Sequence, residues 1–200
     1  MTTLNELRSG LLTIAKRSVC LMPACSNEES TKLYLVLPFL GLLGYDFTNP
    51  YEVYPEHAAD FTNENSNKVD LAILRSGDPI VAIEVKQAGA DLADHTGQLA
   101  GYFNALATVK LGIITNGIVY AFHVDSDAPN MMDAEPFFTL DLETIASAGL
   151  ADDEMLETLL SITKSHFDPG AMAEAAHVGL VRRRLRKVLV EEARAPSKGF

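Results

Sequence analysis

Residues 68–86 read KVDLAILRSGDPIVAIEVK, and this stretch decides the fold. Two apolar runs rich in β-branched residues, Val69–Leu74 and Ile80–Lys86, flank the segment Arg75-Ser-Gly-Asp-Pro79. Runs of that length, broken by Gly and Pro, read as the two strands of a β-hairpin. Charges interrupt both strands: Asp70 in the first, Glu84 and Lys86 in the second. Side chains alternate along a strand, so Glu84 and Lys86, two apart, point to one face. A hairpin closing at the Ser-Gly-Asp-Pro turn brings Asp70 alongside them. Two carboxylates and an ammonium then meet on an otherwise apolar sheet, where charge is costly unless it is paired or metal-bound. One reading is a solvent-facing strand surface with an exposed ion pair. The other is a hard-cation site, since carboxylate oxygens and water suit magnesium; the lysine then orients the attacking water and offsets phosphate charge.

Outward from the hairpin the hydrophobic period changes. Leu4, Leu7, Leu11, Leu12, Ile14 and Ala15 keep helical spacing, predicting an amphipathic helix over 4–22 stopped by Pro23. Ser26 or Asn27 caps a second helix with Glu28 and Glu29 in its first turn; it runs apolar through Leu33, Leu37 and Leu40 to Gly44, with a kink at Pro38. Residues 51–54 look extended, and 57–67 form a polar loop rich in Asn. Helical spacing returns over 92–107, followed by strands Lys110–Thr115 and Ile118–Val124 joined at Asn116-Gly117. From Leu140 the chain reads helical, with segments near 142–148, 152–166 and 169–194. The expected fold class is α/β, a central mixed sheet flanked by helices. Its expected parts are an N-terminal helix (1–26), a sheet-bearing domain (27–145) and a helical C-terminal appendage (146–200).

Composition bounds the function. Two hundred residues, 48% hydrophobic and 22% charged, suit one globular unit with a real core. No apolar run is long enough to span a membrane, and Lys16 and Arg17 break the N-terminal apolar stretch that a signal peptide needs, so the expected location is the cytoplasm, with no membrane partner. Cys20 and Cys25 flank Pro23 with no second pair, and they read as free thiols of a reducing compartment. A net charge of −11 argues against a protein that coats DNA. The charge is uneven: from Leu180 onward the balance is +5, leaving −16 on residues 1–179. Arg182, Arg183, Arg186 and their basic neighbours have Val181, Leu185, Val188 and Leu189 beside them at helical spacing. That pattern is a solvated helix face, or one that contacts DNA or a second subunit. There is no Walker-type phosphate loop, no G-x-G-x-x-G after a strand, no H-E-x-x-H and no G-x-S-x-G, so no nucleotide cofactor is expected.

Asp70, a spacer of thirteen residues and Glu84-Val-Lys86 resemble the PD-(D/E)xK nuclease motif, with Val69 where the motif has its proline. More specifically the chain resembles the N-terminal nuclease domain of type I restriction enzyme R (HsdR) subunits and their free-standing relatives. The matching segments are 27–32, Leu37-Pro-Phe-Leu40 with Leu43-Gly-Tyr45, the Asp70/Glu84/Lys86 set, Gln98-Leu-Ala-Gly-Tyr102 and Thr115-Asn-Gly117, in that family's order. The resemblance implies a restriction-endonuclease-like core over 27–145 and a metal-dependent endonuclease acting on DNA, related to restriction or phage defence. It implies magnesium as cofactor, with manganese as substitute. Asp70 and Glu84 then match the metal ligands, Val85 offers its carbonyl, and Glu28 helps through water, with Glu29 the fallback. Lys86 matches the catalytic lysine. Gln98 and Tyr102 match a QxxxY motif; four apart on a helix, they share a face that could meet the lysine or the DNA backbone. DNA is the implied partner, with a homodimer or restriction-complex subunits beside it. No helicase motor is present, although a full R subunit couples its nuclease to one.

The alternative is a catalytically inactive nuclease fold kept for DNA or protein binding, and a third reading is an RNA nuclease or structural protein. If Glu28, Asp70 and Glu84 crowd one metal-free site, their repulsion raises at least one pKa. On that view Asp70→Asn leaves the metal-free stability unchanged or raises it.

Overall fold

In the computed structural model the hairpin lies at the centre of a six-stranded sheet. The structure describes residues 3–59, 68–92, 96–149 and 151–194. The strands, in both chain and spatial order, are β1 (Val53–Ala58), β2 (Lys68–Arg75), β3 (Asp78–Val85), β4 (Leu111–Thr115), β5 (Val119–His123) and β6 (Phe138–Asp141). The β2–β3 turn is made by Ser76 (φ 57°) and Gly77 (φ 91°), the left-handed pair whose twist matches the strands it joins. Neighbouring strands are antiparallel except β3 and β4, which are parallel, so the sheet is mixed as expected. A parallel pair needs a crossover. Here it contains α4 (Thr96–Ala105), which packs across β2, β3 and β4.

Both faces of the sheet are covered. Leu71, Ile73, Val81, Ile83, Val85, Leu111 and Ile113 point into the main core. The alternate residues Ala72, Ala82 and Ile114 pack against Leu99, Tyr102 and Phe103 of α4. Small residues let α4 sit close: a Cβ on Gly112 would lie 3.2 Å from Leu99 and 3.3 Å from Phe103.

The first helix, α1 (Leu4–Leu21), starts with a capping box between Thr3 and Glu6 and buries Leu7, Leu11 and Ala15. Asn27 caps α2 (Glu28–Thr31), which continues through a π-helical turn (Lys32–Val36) into α3 (Leu37–Leu42). The irregularity expected at Pro38 takes this form. Proline has no N–H to donate to the carbonyl four residues back. That carbonyl, of Tyr34, accepts instead from the Arg17 guanidinium at 2.7 Å, while the Leu37 N–H reaches back to Lys32.

The C-terminal half departs from expectation in two places. Residues 138–141 form β6 rather than leading into a helix. The strand is short, four residues at the sheet edge, and its pairing with β5 is a long-range contact that no local period announces. Asp141 then caps α5 (Leu142–Ala148), accepting from the Glu143 and Thr144 N–H groups, and α6 (Asp153–Ile162) and α7 (Pro169–Arg194) follow. The core does not divide at residue 145. Leu142, Ile145, Leu156, Leu159, Ile162, Phe167, Met172 and Ala176 belong to the same cluster as α1 and one face of the sheet. Tyr45 also donates to the carbonyl of Ile162, and Arg75 to that of Phe167. Past Ala176, Val178, Val181, Leu185 and Val188 are exposed. Cys20 and Cys25 are both free. Among the described residues no helix is long and apolar enough to cross a membrane.

Deleting 146–200 therefore removes part of the core rather than an appendage. The truncated chain is expected to lose its cooperative thermal transition by circular dichroism; a truncated chain that melts like the full one would show that the main core closes without α6.

Candidate active site

The strand register sets the site. Pro55 pairs with Leu71 and His57 with Val69, which puts Glu56 opposite Asp70. Leu71 pairs with Ile83, and one step further along this register Asp70 faces Glu84. Three carboxylates thus stand in a row across β1, β2 and β3. Like charges directly opposite on neighbouring strands destabilise a sheet, and two lysines offset them here.

Lys32, at the start of the π-helical turn, is one. Its Nζ lies 2.8 Å from Glu29 Oε1, 3.0 Å from Asp70 Oδ1 and 3.6 Å from Glu56 Oε1, with its side chain 7% exposed. Burial pushes its pKa down, but hydrogen bonds to Glu29 and Asp70 outweigh that and hold it above the ordinary lysine value. Lys86, just past the end of β3, is the other. Its Nζ is 2.8 Å from Glu84 Oε1 and 3.8 Å from Glu28 Oε1. Burial is again outweighed, by the hydrogen bond to Glu84 and the surrounding carboxylates, so its pKa also rises.

The two central acids differ. Both Asp70 oxygens are engaged, Oδ1 by Lys32 and Oδ2 by the Val85 N–H at 2.7 Å. Glu84 is buried, its Oε1 is paired with Lys86, and its Oε2 has no hydrogen-bond partner among the described residues. Burial pushes the Glu84 pKa up, with Asp70 and Glu28 adding to the rise. A raised carboxylate was expected from repulsion; here desolvation comes first.

The helix that carries Glu28 and Lys32 is locked to the end of the sheet. Thr31 Oγ1 accepts from the Ala88 N–H at 3.0 Å. Gly117, with φ +78°, packs so closely that a Cβ would lie 2.7 Å from Leu35 and 3.0 Å from Thr31. In the Thr115-Asn-Gly117 turn, Asn116 Oδ1 accepts from the N–H groups of Ile118 and Val119, and its amide donates to the carbonyl of Ala90. That turn fixes the distance between helix and sheet.

Among the sequence-derived site residues, the structure brings Glu28, Asp70, Glu84, Val85 and Lys86 together. Gln98 and Tyr102 lie on α4, which covers the same face of the sheet, but they bond elsewhere. Gln98 donates to the carbonyl of Lys68 at 3.0 Å, and the buried Tyr102 hydroxyl lies 2.7 Å from His57 Nδ1. The side chains of Arg182, Arg183 and Arg186, and all of His95, lie outside the described residues.

Lys32, Glu56 and His57 went unassigned in the sequence. Lys32 had a signal: Leu35, Val36 and Phe39, at three, four and seven residues on, put it on the buried side of its helix. Glu56 and His57 had none, since their roles follow from strand pairing.

Carboxylate oxygens are the donors that a hard cation takes. An anionic oxygen buried without a partner, as Glu84 Oε2 is, carries an uncompensated desolvation cost that a cation removes. Among the described residues no three His, Cys, Asp or Glu side chains stand close enough to hold a metal ion. Magnesium commonly uses only one or two carboxylates and keeps several waters.

Fold and site together define a mixed α/β protein with a row of acids across β1, β2 and β3 and two lysines set against it. Residues 57–130 match the family described as the N terminus of type I restriction enzyme R proteins, which bears out the resemblance drawn from the motifs. No curated protein and no solved structure matches the chain.

Because Asp70 is paired with a buried lysine, the expectation for Asp70→Asn reverses. The amide can still accept from Val85 but leaves Lys32 short of a counter-charge, so metal-free stability should fall by about 1–3 kcal/mol in urea unfolding. A stability equal to or above wild type would mean that repulsion among the acids outweighs the Lys32 pair. A second prediction concerns His57, whose pKa burial pushes down. The unfolded chain takes up this proton near pH ~6.5 while the folded one resists, so its contribution to stability falls as pH drops below that point. Melting temperatures at pH 7.5 and 5.5 should differ more for wild type than for His57→Gln.

Proposed function

We propose that the chain is a magnesium-dependent endonuclease that hydrolyses DNA phosphodiesters, in the setting of restriction or phage defence and in the cytoplasm. The observation that carries the reading is Glu84, a buried carboxylate with one oxygen unpartnered among the described residues, set beside Asp70 and Lys86 at the end of two strands. The match of residues 57–130 to the R-protein N terminus supports it. Unbridged cysteines suit a reducing compartment.

Asp70, Glu84 and the Val85 carbonyl would hold the metal, with Glu28 reaching it through water. Magnesium, when bound, supplies Lewis-acid stabilisation of the charge that builds on a phosphodiester attacked by water. The protein supplies positioning. Val85 serves twice: its N–H fixes Asp70, and its carbonyl belongs to the donor set. Lys86, held by Glu84 and Glu28, presents an ammonium beside the donors, where it orients the nucleophilic water and offsets the negative charge on the phosphate oxygens. Gln98 and Tyr102 support the strand end from α4, and Arg182, Arg183 and Arg186 supply cations for the DNA backbone. One such site cuts one strand, so a double-strand break calls for two copies or two binding events.

With magnesium, wild type should nick supercoiled plasmid DNA, and Lys86→Ala should be slower by about 100-fold or more. Magnesium at ~100 times its dissociation constant should also stabilise wild type by about 2–3 kcal/mol, and Asp70→Asn should lose most of that gain. Equal nicking by the Lys86→Ala protein would sink the catalytic assignment. DNA binding with no nicking by wild type would assign the fold to a binding module.

A further inference from the structure

We propose that Lys32 is the resident counter-ion of this site: it holds Asp70 in place in the metal-free protein and competes with a divalent cation for that carboxylate. The inference rests on the metal-site reading above. An ammonium has three protons to donate, and Lys32 meets three carboxylates, those of Glu29, Asp70 and Glu56. It does not reach out to solvent along its own helix, because Leu35, Val36, Phe39 and Leu40 on the same side are all buried.

The backbone on both sides is shaped around it. Lys32 opens the π-helical turn, a departure from α-helix that recurs at functional sites. Glu56 adopts φ 51°, a left-handed conformation that a residue with a Cβ holds only when its surroundings impose it. Its carboxylate faces Lys32.

A cation approaching the row therefore meets two unlike ligands. Glu84 offers an oxygen with no partner among the described residues, whereas Asp70 has one oxygen on Lys32 and the other on a backbone N–H. Sharing Asp70 means weakening the Lys32 pair. Charge acts in the same sense. Glu28, Glu29, Glu56, Asp70 and Glu84 against Lys32 and Lys86 leave three negative charges uncompensated, and removing Lys32 leaves four. Lys32 thus sets cation affinity lower than the carboxylates alone would, in return for a site that is ordered before metal arrives.

The test titrates the full chain with magnesium alone by calorimetry, and with manganese by electron paramagnetic resonance. Lys32→Met is expected to bind either ion about tenfold more tightly than wild type. The double variant Lys32→Met/Glu56→Gln keeps the wild-type net charge, so long-range attraction is matched while Asp70 Oδ1 is freed. It should still bind roughly threefold more tightly, and with one opposing carboxylate gone it carries the measurement if the single variant does not fold. Lys32→Arg, which keeps the charge and the donors, should stay close to wild type. Unchanged or weaker binding in the methionine variants overturns the proposal, since a merely structural lysine would alter stability and not cation affinity. Binding that depends on Asp70 but ignores Lys32 removes this inference alone. If wild type binds neither ion, the metal-site reading falls and takes this one with it.

Discussion

Glu56, Asp70 and Glu84 stand side by side on three adjacent strands, and the rest of the structure has to make that row tolerable. Glu56 is more than half exposed and water screens it. Asp70 and Glu84 are largely shielded, because α4 covers the same face of the sheet and the α2 helix with its π-helical turn closes the strand ends, so two lysines offset their charge. Each lysine bridges an acid of the sheet to an acid of the helix: Lys32 joins Asp70 to Glu29, and Lys86 joins Glu84 to Glu28. The ion pairs consequently tie helix to sheet as well as balancing charge.

That dependence explains features that look unrelated in the sequence. Gly117 is needed because the turn after β4 packs directly on Leu35 and Thr31, the part of the helix that aims Lys32. Thr31 is buried because its hydroxyl docks the segment following β3. Pro38 and the π-helical turn shift the helix register just beyond Lys32, and Arg17 of α1 takes up the carbonyl that Pro38 leaves without a donor. The C-terminal helices share the main core with α1 and the opposite face of the sheet, so they brace the layer against which the site is built.

The acids around the row outnumber the two lysines, and among the described residues one buried oxygen of Glu84 has no partner. An overall charge of −11 repels DNA at long range. The attraction the proposed reaction needs would therefore come from local positive charge, the basic segment of α7 and the proposed metal.

By itself the sequence determined the hairpin of 68–86, the mixed α/β class, the first two helices with the cap of the second, and the grouping of Asp70, Glu84 and Lys86. These are short-range matters: period-two alternation, turn residues and a two-residue parity need no knowledge of distant segments. The tertiary structure decided what each charge is paired with. Lys32 and Asp70 are 38 residues apart, and Glu56 meets Asp70 only through strand register, so neither pairing leaves a local pattern. The same holds for β6, which exists only because β5 offers it an edge, and for the helices after 145, whose apolar faces reveal that they are buried but not against what. It also reverses the sign expected for Asp70→Asn, because a carboxylate that repels its neighbours in the sequence view is held by a buried ammonium once the helix is docked.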